Sequence, residues 1–209
     1  MENIVVKTLV LGALATNCML IINQERKEMI IVDPADSAEL ISEAATRFGC
    51  RPIAMFLTHG HFDHTLAVED LRDMYEIPVY AYTEEQDILC SSRLNLSSEW
   101  AAGYITKADH LLKDRQTLEL AGMKFTVLHT PGHTKGGCCY YLPEAKVLFS
   151  GDTLFAGSVG RMDFPTSSGV QMKNSLKKLL TEIPEDVLVY PGHGDTTTIG
   201  YEKRYNPFA

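Results

Sequence analysis

Thr58-His59-Gly60-His61-Phe62-Asp63-His64 gathers three imidazoles and a carboxylate into six positions, directly after the short apolar run Ile53 to Leu57. That run reads as a strand, so the cluster sits just past a strand's C-terminal end. Histidine supplies borderline-soft nitrogen and aspartate hard oxygen, a mixture that suits Zn2+, Fe or Mn2+ rather than Ca2+. Alternate residues of an extended turn point in different directions, so His59 and His61 can approach one metal while Asp63 and His64 turn toward another. Gly60 eases the tight path between them.

Working outward, three further stretches end a predicted strand with a ligand type: His129-Thr130-Pro131-Gly132-His133-Thr134, Phe149-Ser150-Gly151-Asp152-Thr153 and Tyr190-Pro191-Gly192-His193-Gly194-Asp195. A glycine stands immediately before each of His133, Asp152 and His193, where it lets the backbone bend sharply beside a crowded centre. His59, His61, Asp63, His64, His133, Asp152 and His193 make seven candidate ligands, more than one tetrahedral ion uses. Two metals sharing a carboxylate account for them and leave a position for water. Thr58, Thr134 and Thr153 stand beside these ligands and are expected to hold them by hydrogen bonds. His110 lies outside every motif and reads as a surface residue, and His129 as a core or supporting one.

The rest of the chain alternates strands and helices. Ile4 to Val10, Cys18 to Asn23 and Met29 to Asp33 read as a strand meander, and Asp36-Ser37 as the cap of an amphipathic helix ending at Phe48-Gly49. A helix over Leu66 to Tyr75, a strand over Pro78 to Ala81 and a helix from Thr83 follow. Residues 91–114 show no periodicity and read as an excursion over the surface, either a lid or a structural connection with a buried Trp100. Strands resume at Thr117 to Leu120, Lys124 to His129, Gly137 to Leu142 and Lys146 to Phe149. A helix over Gly169 to Thr181 and a strand over Val187 to Tyr190 complete the plan, an α/β layered architecture with two halves alike.

With 209 residues and 45% hydrophobic content, the expectation is a single domain over 1–209 with a full core. Nineteen basic against 27 acidic residues give a formal charge of −8, with no basic stretch to track phosphates, so nucleic acid is not an expected partner. The N-terminus carries Glu2 where a signal peptide carries bases, and no segment approaches the ~18 apolar residues of a membrane span. Five cysteines, Cys18, Cys50, Cys90, Cys138 and Cys139, fit reduced thiols in a cytoplasmic protein better than a disulfide framework. The oligomeric state is not legible.

Taken in order, His59-x-His61-x-Asp63-His64, the Thr130-Pro131-Gly132-His133-Thr134 segment, Ser150-Gly151-Asp152-Thr153-Leu154-Phe155 and Tyr190-Pro191-Gly192-His193 resemble the metallo-β-lactamase superfamily over nearly the whole chain. The resemblance implies a four-layered αββα sandwich with two divalent metals at one edge, zinc first, iron or manganese as alternatives. It assigns His59, His61 and His133 to one site, Asp63, His64 and His193 to the other, and Asp152 to the bridge; Asp63 also orients the attacking water. A metal pair lowers the pKa of water from about 15.7 to about 7, which supplies the nucleophile. No G-x-S-x-G elbow or nucleophilic cysteine setting calls for a covalent route.

Gly151 to Arg161 is similar to the glyoxalase II segment, and Glu202-Lys203-Arg204-Tyr205-Asn206-Pro207-Phe208 to the tail of its short relatives. This implies hydrolysis of a small thioester such as S-lactoylglutathione or a related S-2-hydroxyacyl thiol, with Arg161 contacting the thiol's carboxylate. Full-length glyoxalase II carries a helical domain that grips glutathione, whereas 16 residues follow His193 here and Asp195 replaces the family's tyrosine, so the carrier thiol stays open. Gly160-Arg161-Met162-Asp163 also resembles persulfide dioxygenases, which would use His59, His133 and Asp152 with one iron. A non-catalytic metal-binding module is the alternative from another class. A β-lactamase role is weaker, since no export signal is evident and Asp152 is the glyoxalase-like bridging residue. Nuclease relatives add substrate-binding regions that this compact acidic chain lacks.

Overall fold

A computed structural model describes residues 3–100 and 102–209. Outside the described residues lie positions 1 and 2 of the acid-bearing N-terminus and position 101 of the 91–114 excursion. The first half runs β1 (Ile4–Leu11), β2 (Thr16–Asn23), β3 (Glu28–Val32), α1 (Ala38–Phe48), β4 (Arg51–Phe56), α2 (Val68–Tyr75), β5 (Val79–Tyr82), α3 (Gln86–Leu89), α4 (Ser97–Trp100) and β6 (His110–Leu112). The second runs β7 (Thr117–Leu120), β8 (Met123–His129), β9 (Cys138–Leu142), β10 (Val147–Gly151), α5 (Gly169–Glu182), β11 (Leu188–Pro191), β12 (Thr197–Thr198) and α6 (Ile199–Tyr205). Each half forms a six-stranded mixed sheet, ordered β1 to β6 in one and β12 to β7 in the other.

Strand periodicity sorts the core into layers. In β2 all eight residues are buried, so both of its faces are covered. Cys18, Leu20 and Ile22 join Ile41 and Ala45 of α1 and Val68 and Leu71 of α2 in one cluster. Met19 and Ile21 turn the other way and meet Phe125, Val127 and Phe149 of the second sheet. Leu128, Cys139 and Leu148, on that sheet's far face, pack on Met172, Leu176 and Leu179 of α5 and on Ile199 of α6. The order is therefore helix, sheet, sheet, helix, as the alternation of apolar residues requires. Across the sheet interface Phe56 stacks on Tyr140 at 4.6 Å and meets Phe125 edge-on at 5.2 Å.

Two local expectations are corrected. Ser37 occupies the N-cap position of α1 but lies at φ 53, and its side chain makes no capping bond. A capping side chain needs extended backbone there; instead Asp36 Oδ1 accepts the Ser37 N–H at 2.5 Å. The excursion over 91–114 contains α4 and β6, the latter parallel to β5. Asn95 and Ser97 are buried and both donate to the Tyr104 carbonyl, each at 2.8 Å, whereas Trp100 is 66% exposed rather than buried. Among the described residues no helix is long and apolar enough to cross a membrane.

Candidate metal centre

Strands β8, β10 and β11 share one direction, because β9 lies antiparallel between β8 and β10 while β11 is parallel to β10. Their C-terminal ends therefore open at one edge of the sandwich, where they release His133, Asp152 and His193. From the facing sheet β4 releases the loop His59 to His64, whose last turn is a 3-10 helix over Phe62–His64. Glycines permit the convergence. A Cβ on Gly192 would lie 2.3 Å from Asp152 Oδ1 and 2.7 Å from His64 Cε1, and one on Gly151, at φ +49, 2.3 Å from Thr58 Oγ1.

The seven residues read from the sequence come together in overlapping groups. His59, His61 and His133 form one, with ring centroids 4.6 to 4.9 Å apart and His61 Nδ1 2.9 Å from His133 Nε2. Asp63, His64 and His193 form another: Asp63 Oδ2 lies 3.3 Å from His193 Nε2 and 3.5 Å from His64 Nε2. Asp152 stands between them, with Oδ1 3.4 Å from His64 Nε2 and Oδ2 3.5 Å from His133 Nε2 and 3.6 Å from His193 Nε2. His59 Nε2, His61 Nε2 and Asp152 Oδ1 are buried without a hydrogen-bond partner. Each such group costs about 1–3 kcal/mol when left unsatisfied. Nitrogen and oxygen donors converging at these spacings fit a pair of divalent cations, which would satisfy all three atoms.

Electrostatics separates the two groups. Burial, with the surrounding imidazoles, pushes His59 and His61 well below the usual histidine range, so both offer lone pairs at neutral pH. Burial also disfavours charge on His64, but Asp63, Asp152 and Asp33 outweigh it and lift the ring to about 10. For Asp63, burial is likewise overcome, here by His64 and His193, which hold the carboxyl well below the ordinary range.

Residues not singled out in the sequence orient the candidate ligands. Buried Asp33 accepts from the Thr58 N–H and Oγ1, each at 2.7 Å, and its Oδ2 lies 2.9 Å from His64 Nδ1, which orients that ring. Thr16 Oγ1 donates to Asp63 Oδ2 at 2.9 Å. Asn17 Nδ2 donates to the carbonyls of Pro191 and Gly194, clamping the His193 loop from both sides. Glu85, fully buried, bonds the loops on either side of His59 and His133.

Of the three supporting threonines, Thr58 Oγ1 lies 3.1 Å from His59 Nδ1, as expected. Thr134 and Thr153 are corrected: their hydroxyls bond not to a candidate ligand but to Glu85 Oε1 at 2.5 Å and Thr130 Oγ1 at 3.0 Å respectively. His129 stacks on Tyr82 at 4.1 Å and His110 on Tyr80 at 4.5 Å, both away from the centre. Arg161 serves the centre through its backbone, since its carbonyl oxygen lies 2.8 Å from His133 Nδ1. Its guanidinium is exposed, paired with both Asp163 oxygens and set 4.3 Å over the Phe164 ring. A cavity of about 360 Å3 fronts the ligands, walled by Leu14, Phe62, Leu96, Trp100 and Phe155, with Arg161 also in its wall.

The chain is similar to known proteins over nearly its whole length. Hydroxyacylglutathione hydrolase GloC of Haemophilus influenzae is 34% identical over 202 residues, 94% of this chain and 93% of that protein. The crystal structure of BLEG-1 B3 metallo-beta-lactamase superposes with a TM-score of 0.93 at 39% identity, covering 98% of this chain and 99% of that one. That of TTHA1623 in a di-iron-bound form gives 0.84 at 35% identity, with 97% and 100% covered. The family model described as the metallo-beta-lactamase superfamily matches residues 11–193, and with the ligand geometry above this settles the assignment: the chain belongs to the metallo-beta-lactamase superfamily.

Proposed function

We propose that the protein is a two-metal thioester hydrolase acting on a small S-2-hydroxyacyl thiol such as S-lactoylglutathione. The observation that carries this reading is the pair of donor groups meeting at Asp152 and opening onto one apolar cavity. His59, His61 and His133 would hold one ion, Asp63, His64 and His193 the other, and Asp152 both. Zinc suits this nitrogen-rich set, and iron or manganese are the alternatives. Such a pair, when bound, makes water a nucleophile at neutral pH and polarises the substrate carbonyl.

The chain's own residues do the rest. Leu14, Phe62 and Trp100 give the cavity an apolar wall for the acyl group, and Arg161 offers a cation to a carboxylate on the thiol. Asp63, kept ionised and fixed by Thr16, accepts a hydrogen from the attacking water and orients it. A departing thiolate has a conjugate-acid pKa of about 8.5, so no proton donor is required on the leaving side. Burial pushes the thiols of Cys138 and Cys139 up, which makes them poor nucleophiles and supports the direct route. We further propose a cytoplasmic single-domain enzyme working on small molecules rather than nucleic acid, on the strength of its five free cysteines and its charge of −8.

Steady-state hydrolysis of S-lactoylglutathione beside a panel of acyl thioesters and a β-lactam, with metal content measured on the same sample, tests the reading. Two metals per chain and turnover of a thioester above the β-lactam are expected. One iron per chain, with oxygen consumed on glutathione persulfide and no thioester cleaved, would replace it with a persulfide dioxygenase. Full metal loading without turnover of either would leave a binding module.

A further inference from the structure

We infer that Glu85 is a positioning residue for the group His59, His61 and His133, its buried carboxylate tying together the two loops that carry them. This rests on the reading of those imidazoles as metal ligands. Glu85 Oε2 accepts the N–H of Gly60, between His59 and His61, at 2.7 Å. Its Oε1 accepts the N–H of Gly136 at 3.0 Å and the hydroxyl of Thr134 at 2.5 Å, both just past His133. The two loops leave strands of different sheets, β4 and β8, so neither sheet's own hydrogen bonds set the distance between them.

The spacing is fixed by contact as well as by bonding. A Cβ on Gly136 would lie 2.7 Å from the backbone of Glu84 and Glu85, and one on Gly60 would lie 3.0 Å from Glu85 Oε2 and from Ile88 Cγ2. The segment from Glu84 to Ile88 is thus wedged between the loops with no slack. Glu85 is fully buried, and among the described residues no lysine or arginine pairs with it. An ion pair is therefore not its purpose; three donors from two loops are. Something must hold the loops, because His59 Nε2 and His61 Nε2 are buried without partners and their rings crowd His133. One backbone bond already joins the two segments, from the Cys138 N–H to the Thr58 carbonyl at 2.9 Å, and Glu85 adds bonds to Gly60, Thr134 and Gly136. Lys135 pairs with Asp87 at 2.6 Å on the outside of the same segment, which supplies an exposed tie for comparison.

Titration of the purified protein with Zn2+ against a competing chelator, repeated with Co2+ for its visible absorption, separates this role from general stability. Wild type should bind two ions. Glu85→Ala should weaken one of them by about 10–100-fold, the usual effect of removing a group that orients ligands, and leave the other unchanged. Thr134→Val should weaken the same ion by less, and the Co2+ absorption should change for that ion alone. Asp87→Ala should alter neither, as expected of an exposed pair. Both ions bound at wild-type affinity in Glu85→Ala, or both weakened equally, would overturn the assignment. If that variant does not fold, Thr134→Val decides by the same criterion. Wild type that takes up no Zn2+ would overturn the proposed function, and this inference with it.

Discussion

Asp152 stands between the two donor groups, its two oxygens 3.4 to 3.6 Å from His64, His133 and His193. Asp152→Ala should lower the metal count below two and reduce kcat/KM by on the order of 10³-fold or more, several kcal/mol of transition-state stabilisation. Metal analysis and thioester hydrolysis on one sample check it, and full turnover in the variant would refute the site. Glu85 makes a prediction of a different kind. Burial lifts its carboxyl from 4.5 to about 7 despite the three donors it accepts. Between those values the native state binds the proton that the unfolded chain has released, so stability falls as pH rises and levels off above about 7. Glu85→Gln removes that slope. The difference in unfolding free energy between wild type and Glu85→Gln, followed by urea denaturation from pH 5 to 8, should shift by on the order of 3 kcal/mol. Parallel curves would contradict it. At this scale the sequence is readable where chemistry is contiguous: His59 to His64 announces itself. Asp33 and Glu85 do not, because each is one acid among 27 acidic residues and only folding distinguishes buried Glu85 from exposed Glu84.

Strand ends, more than strands, carry the site. The glycines before His133, Asp152 and His193 were legible as bends, and the structure shows what they avoid: a Cβ at Gly132 would meet the Met172 backbone at 2.5 Å, and at Gly192 it would strike Asp152 and His64. Gly192→Ala should therefore disturb the Asp63, His64 and His193 group while leaving strand β11 formed. Because Asp152 is struck as well, its expected signature is a Zn2+ affinity lowered at least about tenfold, most strongly at the ion of this group, with an unchanged far-ultraviolet circular dichroism spectrum. Wild-type affinity for both ions would show that the loop has room to spare. Strands with clean alternation or full burial, such as β2, β8 and β10, follow the apolar pattern closely. The segment 91–114 does not, for a physical reason. Beside buried Leu96 and Leu112, its buried residues Asn95, Ser97 and Thr106 are polar and held by bonds to backbone and side chains, and two of the three residues of β6 are exposed. Hydrophobic periodicity is blind to both. The seven-residue α6 likewise spans too few turns to display a helical stripe.

At the level of the molecule, the candidate centre lies between two sheets whose interface is largely apolar, crossed by a few hydrogen bonds such as those of Glu85 and that from the Tyr140 hydroxyl to the Leu57 carbonyl at 2.8 Å. His59, His61, Asp63 and His64 come from the first sheet, His133, Asp152 and His193 from the second, so an ion bound among them cross-links the halves in the native state alone. Anything that binds only the native state stabilises it in proportion to the logarithm of its saturation, about 2.7 kcal/mol per ion at a hundredfold excess over Kd. For a domain of this size each kcal/mol moves Tm by roughly 2–4 °C. Two ions should therefore raise Tm by on the order of 10–20 °C, and removing them with a chelator should reverse the shift. The interface itself gives the comparison. Phe56→Ala, which deletes the ring stacked between the sheets on Tyr140, should cost about 3–5 kcal/mol with or without metal. Calorimetry on wild type and this variant, each with and without Zn2+, distinguishes the two contributions. The metal-induced shift should persist in Phe56→Ala, because the ligands sit at the sheet edge and not beneath Phe56. A Tm indifferent to chelation would mean that the halves are held by the core alone and that the convergence of imidazoles and carboxylates binds no metal in the native state.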